Sequence, residues 1–119
     1  MASDLSFVES VVDSILFPER IRFQKMFGEY AVYCDEKVVM LICDNQVFVK
    51  PTPAGQHFLN PEEFELAPAY PGSKEYFLIT DRLEDSDWFT ELILTTANAL
   101  PAPKPKTPKI SKKRKATNL

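Results

Sequence analysis

The run Lys37–Cys43 (KVVMLIC) constrains this chain more than any other stretch, because it is apolar at almost every position. Side chains of an extended strand point alternately to opposite faces, so such a run must be covered on both. It therefore belongs inside a sheet, with partners on each side. The surrounding segment Arg22–Pro51 (RFQKMFGEYAVYCDEKVVMLICDNQVFVKP) supplies them and reads as three short strands joined by two tight turns.

Within that segment Ile21, Phe23, Lys25 and Phe27 share one face, and Arg22, Gln24 and Met26 the other. Gly28 interrupts the alternation, as a bulge or a tight turn would. Tyr30, Val32 and Cys34 then alternate with Ala31 and Tyr33, and Asp35-Glu36 turns the chain into the apolar run. Asp44-Asn45 suits a primed turn, since Asn tolerates positive φ. Val47–Val49 follows as a strand, and Pro51, which lacks a donor, stops it.

Helices flank this core. Leu5, Val8, Val12, Ile15 and Leu16, widened by Phe7 and Val11, make an apolar stripe that predicts a helix over 4–17. Ser3 or Asp4 is placed to cap it, and Pro18 ends it. Thr52-Pro53 is a helix start, with Asn60-Pro61 closing a short helix over 54–59. Phe64 and Leu66 alternate with glutamates, Pro68, Pro71 and Gly72 make a loop, and 75–80 is a strand. The last helix begins near Asp85 or Ser86, carries Trp88, Phe89, Leu92, Ile93, Thr96, Ala97 and Leu100 at helical spacing, and stops at Pro101. The order α-βββ-α-ββ-α with a mostly antiparallel sheet predicts an α+β, two-layer sandwich over residues 1–100. Helices cover one face of such a sheet. The other keeps apolar residues of the central run, and a symmetric homodimer is the economical way to cover them.

Charge divides the chain in two. Seven of its 14 bases and none of its 17 acids lie in 104–119, so 1–103 holds seven bases against 17 acids, a net of −10 beside a tail of +7. Residues 101–119 (PAPKPKTPKISKKRKATNL) hold four prolines and a single Ile, too little to build a core, and read as a flexible basic tail. Lys104, Lys106, Lys109, Lys112, Lys113, Arg114 and Lys115 can neutralise phosphates nonspecifically, without the interleaved aromatics that stack bases. The same composition also describes a solvated tail.

Catalytic constellations are lacking. The turn assignment places Cys34 opposite Lys37 and Cys43 opposite Gly28, too far apart for a disulfide. Buried thiols and no secretory signal point to a reducing cytoplasm. The one histidine, His57, lies in a segment unrelated to either cysteine. The carboxylates Glu62, Glu63, Glu65, Glu84, Asp85 and Asp87 follow no metal-loop spacing, so neither a metal nor a cofactor is expected. No apolar run approaches the ~20 residues of a membrane span.

The pieces Lys25-Met26-Phe27-Gly28, the Tyr30–Tyr33 strand, the turns at Asp35 and Asp44-Asn45, Val47–Lys50, Tyr76-Phe77 and the closing helix together resemble the TfoX N-terminal domain family of bacterial competence regulators. That resemblance spans nearly all of 4–100 and implies a two-layer α/β fold with an antiparallel sheet. It brings no catalytic residues. The second domain of full-length regulators is replaced here by the lysine tail, so a stand-alone N-terminal domain is implied. The position after Gly28, often a second glycine in the family, is Glu29 here. The function it implies is a regulatory binding domain acting on transcription through protein contacts, with nonspecific DNA contact by the tail. Lys25, Met26, Phe27, Gly28, Tyr30 and Lys50 are its expected binding surface, on the reading that Lys25 and Lys50 flank the glycine. A dimeric adaptor without nucleic acid and a small-ligand module stay open as alternatives.

Overall fold

The computed structural model describes residues 3–26 and 28–101. Phe27 and the basic residues of the tail lie outside the described residues, as does the expectation of a flexible tail. In chain order the elements are α1 (Leu5–Asp13), β1 (Ile21–Met26), β2 (Glu29–Cys34), β3 (Lys37–Cys43), β4 (Gln46–Val49), α2 (Pro53–Phe58), β5 (Glu65–Pro68), β6 (Glu75–Ile79) and α3 (Ser86–Ala99). Single 3-10 turns sit at Pro18–Arg20 and Pro61–Glu63.

The strands form one sheet in the order β1-β2-β3-β4-β6-β5, every neighbouring pair antiparallel. This is the α+β class with an antiparallel sheet that the sequence implies. Gly28 resolves as a turn with φ 82°, so the first sheet segment holds four strands where a bulge would have left three. β3 is interior, as its two-sided apolar run requires.

Two of the turns follow from local chemistry. Asp35 and Glu36 have φ of 53° and 65°, and Asp44 and Asn45 have 53° and 56°. Left-handed values at both central positions make primed turns, whose twist matches that of the flanking strands.

The β2–β3 register departs from the expectation. Tyr33 pairs with Val38 but Val32 pairs with Met40, leaving Val39 as an extra residue. This bulge shifts the ladder by one, so Ile42 stands opposite Tyr30 and Cys43 falls beside Glu29 rather than Gly28. Both cysteines are nonetheless free and buried. Cys34 packs in the main core and Cys43 in the smaller cluster beyond it.

The main core lies between sheet and helices. α1 contributes Val8 and Val11, Ile15 follows just after it, and α3 contributes Phe89, Leu92, Ile93 and Ala97, against Val32, Met40, Ile42, Val47, Val49, Phe77 and Ile79. α1 is shorter than expected. The Leu16 amide donates to Thr90 Oγ1 (2.8 Å), and Phe17 adopts φ 68°, so the chain leaves the helix at Ser14 to reach α3. Leu5 and Leu16 are consequently exposed, and the buried stripe centres on Val8, Val11 and Ile15. Asp4 is the N-cap residue without a side-chain cap bond, because the segment before α1 is tied elsewhere.

The later helices start where their caps predict. The Gly55 amide donates to Thr52 Oγ1 (2.9 Å), and the Trp88 amide to Asp85 Oδ1 (3.3 Å). At the far end of α3, Lys37 Nζ donates to the carbonyls of Ala97 (2.8 Å) and Leu100 (3.2 Å). A cation at helix carbonyls also opposes the dipole's negative end.

Candidate binding groove on the open sheet face

The helices leave one face of the sheet without a helical cover. One cross-strand row on it is Gln24, Ala31, Leu41, Phe48, Leu78 and Glu65. The β5–β6 connection partly covers this face. Ala69 packs against Cys43 and Phe48, with Leu41, Ala67, Tyr76 and Leu78 at the margin. The turn that brings it back is local: the Ser73 amide donates to the Tyr70 carbonyl (3.0 Å), Pro71 occupies the second position, and Gly72 supplies φ 86° at the third. Proline then a positive-φ glycine is the type II pattern. Ser73 Oγ accepts from the Ala69 amide (2.9 Å), which locks the loop.

Between this loop and the β1–β2 end of the sheet lies a groove of about 540 Å³, lined by Met26, Glu29, Tyr30, Leu41, Cys43, Tyr70 and Tyr76. A shallower hollow shares Glu29, Cys43 and Tyr70 and extends to Asp44 and Pro71. The lining is apolar and aromatic, with one carboxylate.

Glu29 is fixed in place. Its Oε1 accepts from the Ser3 amide (3.1 Å), the Ser3 hydroxyl (2.8 Å) and the Asp44 amide (3.2 Å). Ser3 Oγ in turn accepts from the Asn45 amide (2.9 Å), and the Asp4 amide donates to Asn45 Oδ1 (2.8 Å). The stretch before α1 is thereby fastened to the β3–β4 turn through one side chain of β2.

Burial pushes the Cys43 thiol up to about 11, with the Glu29 charge adding to the effect. Burial also raises Cys34, with Asp35 contributing, and Tyr76, with Tyr70 contributing. A nucleophilic cysteine needs the opposite shift. In the folded chain at pH 8 neither cysteine is expected to react with a thiol reagent on the timescale of a free thiol, and both should react once denaturant unfolds it. Because the Cys43 value lies above the pH, its thiolate stays scarce until the pH nears 11. Rapid labelling of the native chain at pH 8 would show that Cys43 is not buried as described. Among the described residues no group of three or more His, Cys, Asp or Glu is arranged to hold a metal. No helix there is long and apolar enough to cross a membrane.

Of the residues expected to form a binding surface, Met26 and Tyr30 line the groove and Gly28 forms the turn at its end. Phe27 lies outside the described residues. Lys25 pairs with Tyr30 in the ladder at the exposed edge of β1. Lys50 follows β4, its amide donating to the Val39 carbonyl (2.8 Å), at the other end of β3 and with β2 and β3 between it and β1. The groove contains neither lysine, so the two do not converge into an anion pocket. Sequence reasoning missed Glu29, Leu41, Cys43, Tyr70 and Tyr76. The Tyr70-Pro71-Gly72 turn between two strands was the available signal for the loop that folds back.

Residues 16–100 match the family model of the TfoX N-terminal domain. The match includes the whole groove lining and begins after α1. A protein of Spirochaeta aurantia, named as an uncharacterized 12.7 kDa protein in trpE 5' region, is 47% identical over 106 residues, which is 89% of this chain and 90% of the relative.

Proposed function

The chain belongs to the TfoX N-terminal domain family, and on that premise we propose that it is a cytoplasmic regulatory domain that influences transcription through protein contacts. The match over 16–100 carries this reading. The groove gives such a domain a contact surface, being concave, apolar and walled by the exposed ring of Tyr70. Apolar and tyrosine-rich patches of this kind are where protein contacts concentrate their energy. Lys104, Lys106, Lys109, Lys112, Lys113, Arg114 and Lys115 add a second, electrostatic contact, to the DNA on which the partner sits. A competence-like regulator would use both at once, which links the two contacts into one stronger attachment.

The test is recovery of partners from the native cell with the intact chain, with Tyr70→Ala, and with the chain ended at residue 103. Recovery of RNA polymerase or a transcription factor by the intact chain, lost with Tyr70→Ala, is expected. DNA retained by the intact chain should decline steeply as salt rises and be absent from the shortened one. Recovery of no partner but further copies of the chain would replace this reading with the dimeric adaptor.

A further inference from the structure

We propose that the groove is a binding site for a small primary amine with an apolar body, its ammonium at Glu29 Oε2 and its body against Met26, Leu41, Tyr70 and Tyr76. The volume, about 540 Å³, suits a small molecule, for which sites run from roughly 300 to 1,000 Å³.

The sign of the ligand follows from Glu29. A carboxylate offers about four lone-pair positions over two oxygens. All three donors that reach Glu29 reach Oε1, and among the described residues none reaches Oε2. Among the described residues no ion pair neutralises this side chain. Asp44, which borders the adjoining hollow, adds charge of the same sign. The Cys43 thiol is neutral at ordinary pH and adds only an apolar wall. Among the described residues an anion would meet repulsion with no side-chain cation to compensate, whereas an ammonium meets a fixed carboxylate and tyrosine faces, which also attract cations. Because Glu29 is already held in place, little side-chain freedom is lost on binding.

The remaining lining excludes a simple hydrated cation. One carboxylate among Met26, Leu41, Cys43 and three tyrosines offers a metal ion too few oxygens. It offers an alkyl or aryl body a matching surface. The amine site shares the groove and Tyr70 with the proposed protein contact, and the two are told apart by Glu29→Gln, which should lower amine binding whether or not a protein partner is recovered.

The experiment is titration of the full-length, 15N-labelled chain with phenethylamine, phenethyl alcohol, phenylacetate and Nα-acetyl-lysine amide, followed by amide shifts. Phenethylamine should move the amides of Glu29, Leu41, Cys43, Tyr70 and Tyr76 and bind about tenfold or more tightly than the alcohol, with phenylacetate weakest. Glu29→Gln keeps an oxygen for the three donors and should reduce amine binding to the level of the alcohol while the chain stays folded, its thermal midpoint lowered by only about 4–8 °C. Tyr70→Ala, at an exposed position, should weaken the amine and the alcohol together. Equal binding of amine and alcohol, indifference to Glu29→Gln, shifts centred elsewhere, or no binding at millimolar amine would each overturn the proposal. Tighter binding of the lysine derivative than of phenethylamine would also overturn it, assigning the site to lysyl side chains of peptides instead.

Discussion

Replacing Phe89 by alanine is expected to remove about 3–5 kcal/mol of stability, the range for truncating a fully enclosed Phe. Phe89 is 0% exposed and sits one turn into α3, facing a core built from α1 and the inner strands. The cavity that alanine leaves would be walled by strands whose ladders resist collapse. A domain of this size has about 5–15 kcal/mol in total, so the variant should be folded only marginally. The denaturant midpoint should fall sharply with the slope unchanged, which marks a loss of stability rather than a change in unfolded state. Phe89→Leu, which restores most of the volume, should recover more than half of the loss. Trp88 next to it provides the contrast. It is only partly buried, with the Arg82 guanidinium 4.6 Å from its ring centroid and Phe58 at 6.2 Å, and alanine there should cost less. A loss under about 1 kcal/mol at Phe89 would mean that α3 does not pack on the sheet as described.

Elements fixed by chemistry within a few residues were readable beforehand. Thr52 before Pro53 and Asp85 three residues before Trp88 cap their helices with their own side chains, and Asp44-Asn45 turns because those residues tolerate positive φ. The interior position of β3 was readable from its composition alone. What was not readable depends on partners far along the chain. Nothing local marks Val39 as the bulge, since the residues around it are equally apolar and the choice is made by packing. The end of α1 is decided by a hydrogen bond from Leu16 to Thr90, a residue of another helix. Pro101 announced the end of α3, but its carbonyls are satisfied by Lys37, whose role no spacing within α3 could reveal. The groove divided in the same way. Met26 and Tyr30 lie in the segment that drew attention, whereas Tyr70 and Tyr76 reach it only because the β5–β6 loop folds back over Cys43 and Phe48. The expected pairing of Lys25 with Lys50 across the glycine foundered on strand order: β2 and β3 separate them.

Glu29→Ala is expected to cost about 2–3 kcal/mol, more than a half-exposed surface glutamate ordinarily would, because hydrogen bonds to a charged acceptor are worth about 1.5–3 kcal/mol and several are lost together. Three donors lose their acceptor at once: the Ser3 amide, the Ser3 hydroxyl and the Asp44 amide. Ser3 is itself buried, so its amide and hydroxyl cannot simply turn to water without opening the segment before α1. The loss should therefore be uneven. Amide exchange at Val8 and Val11 in α1 should quicken before that of β3 and β4, since α1 is fastened to the sheet at this end through Ser3, Asp4 and Asn45. Glu29→Gln should cost far less, about 1 kcal/mol, because the amide oxygen can take the same donors without the charge. Equal exchange rates in α1 and the inner strands of Glu29→Ala would show that Glu29 does not hold the N-terminal segment. The same carboxylate rims the groove, so the position serves two ends: Oε1 holds the segment before α1, and the side chain lines the surface left open on the other face. A glycine at this position would provide neither.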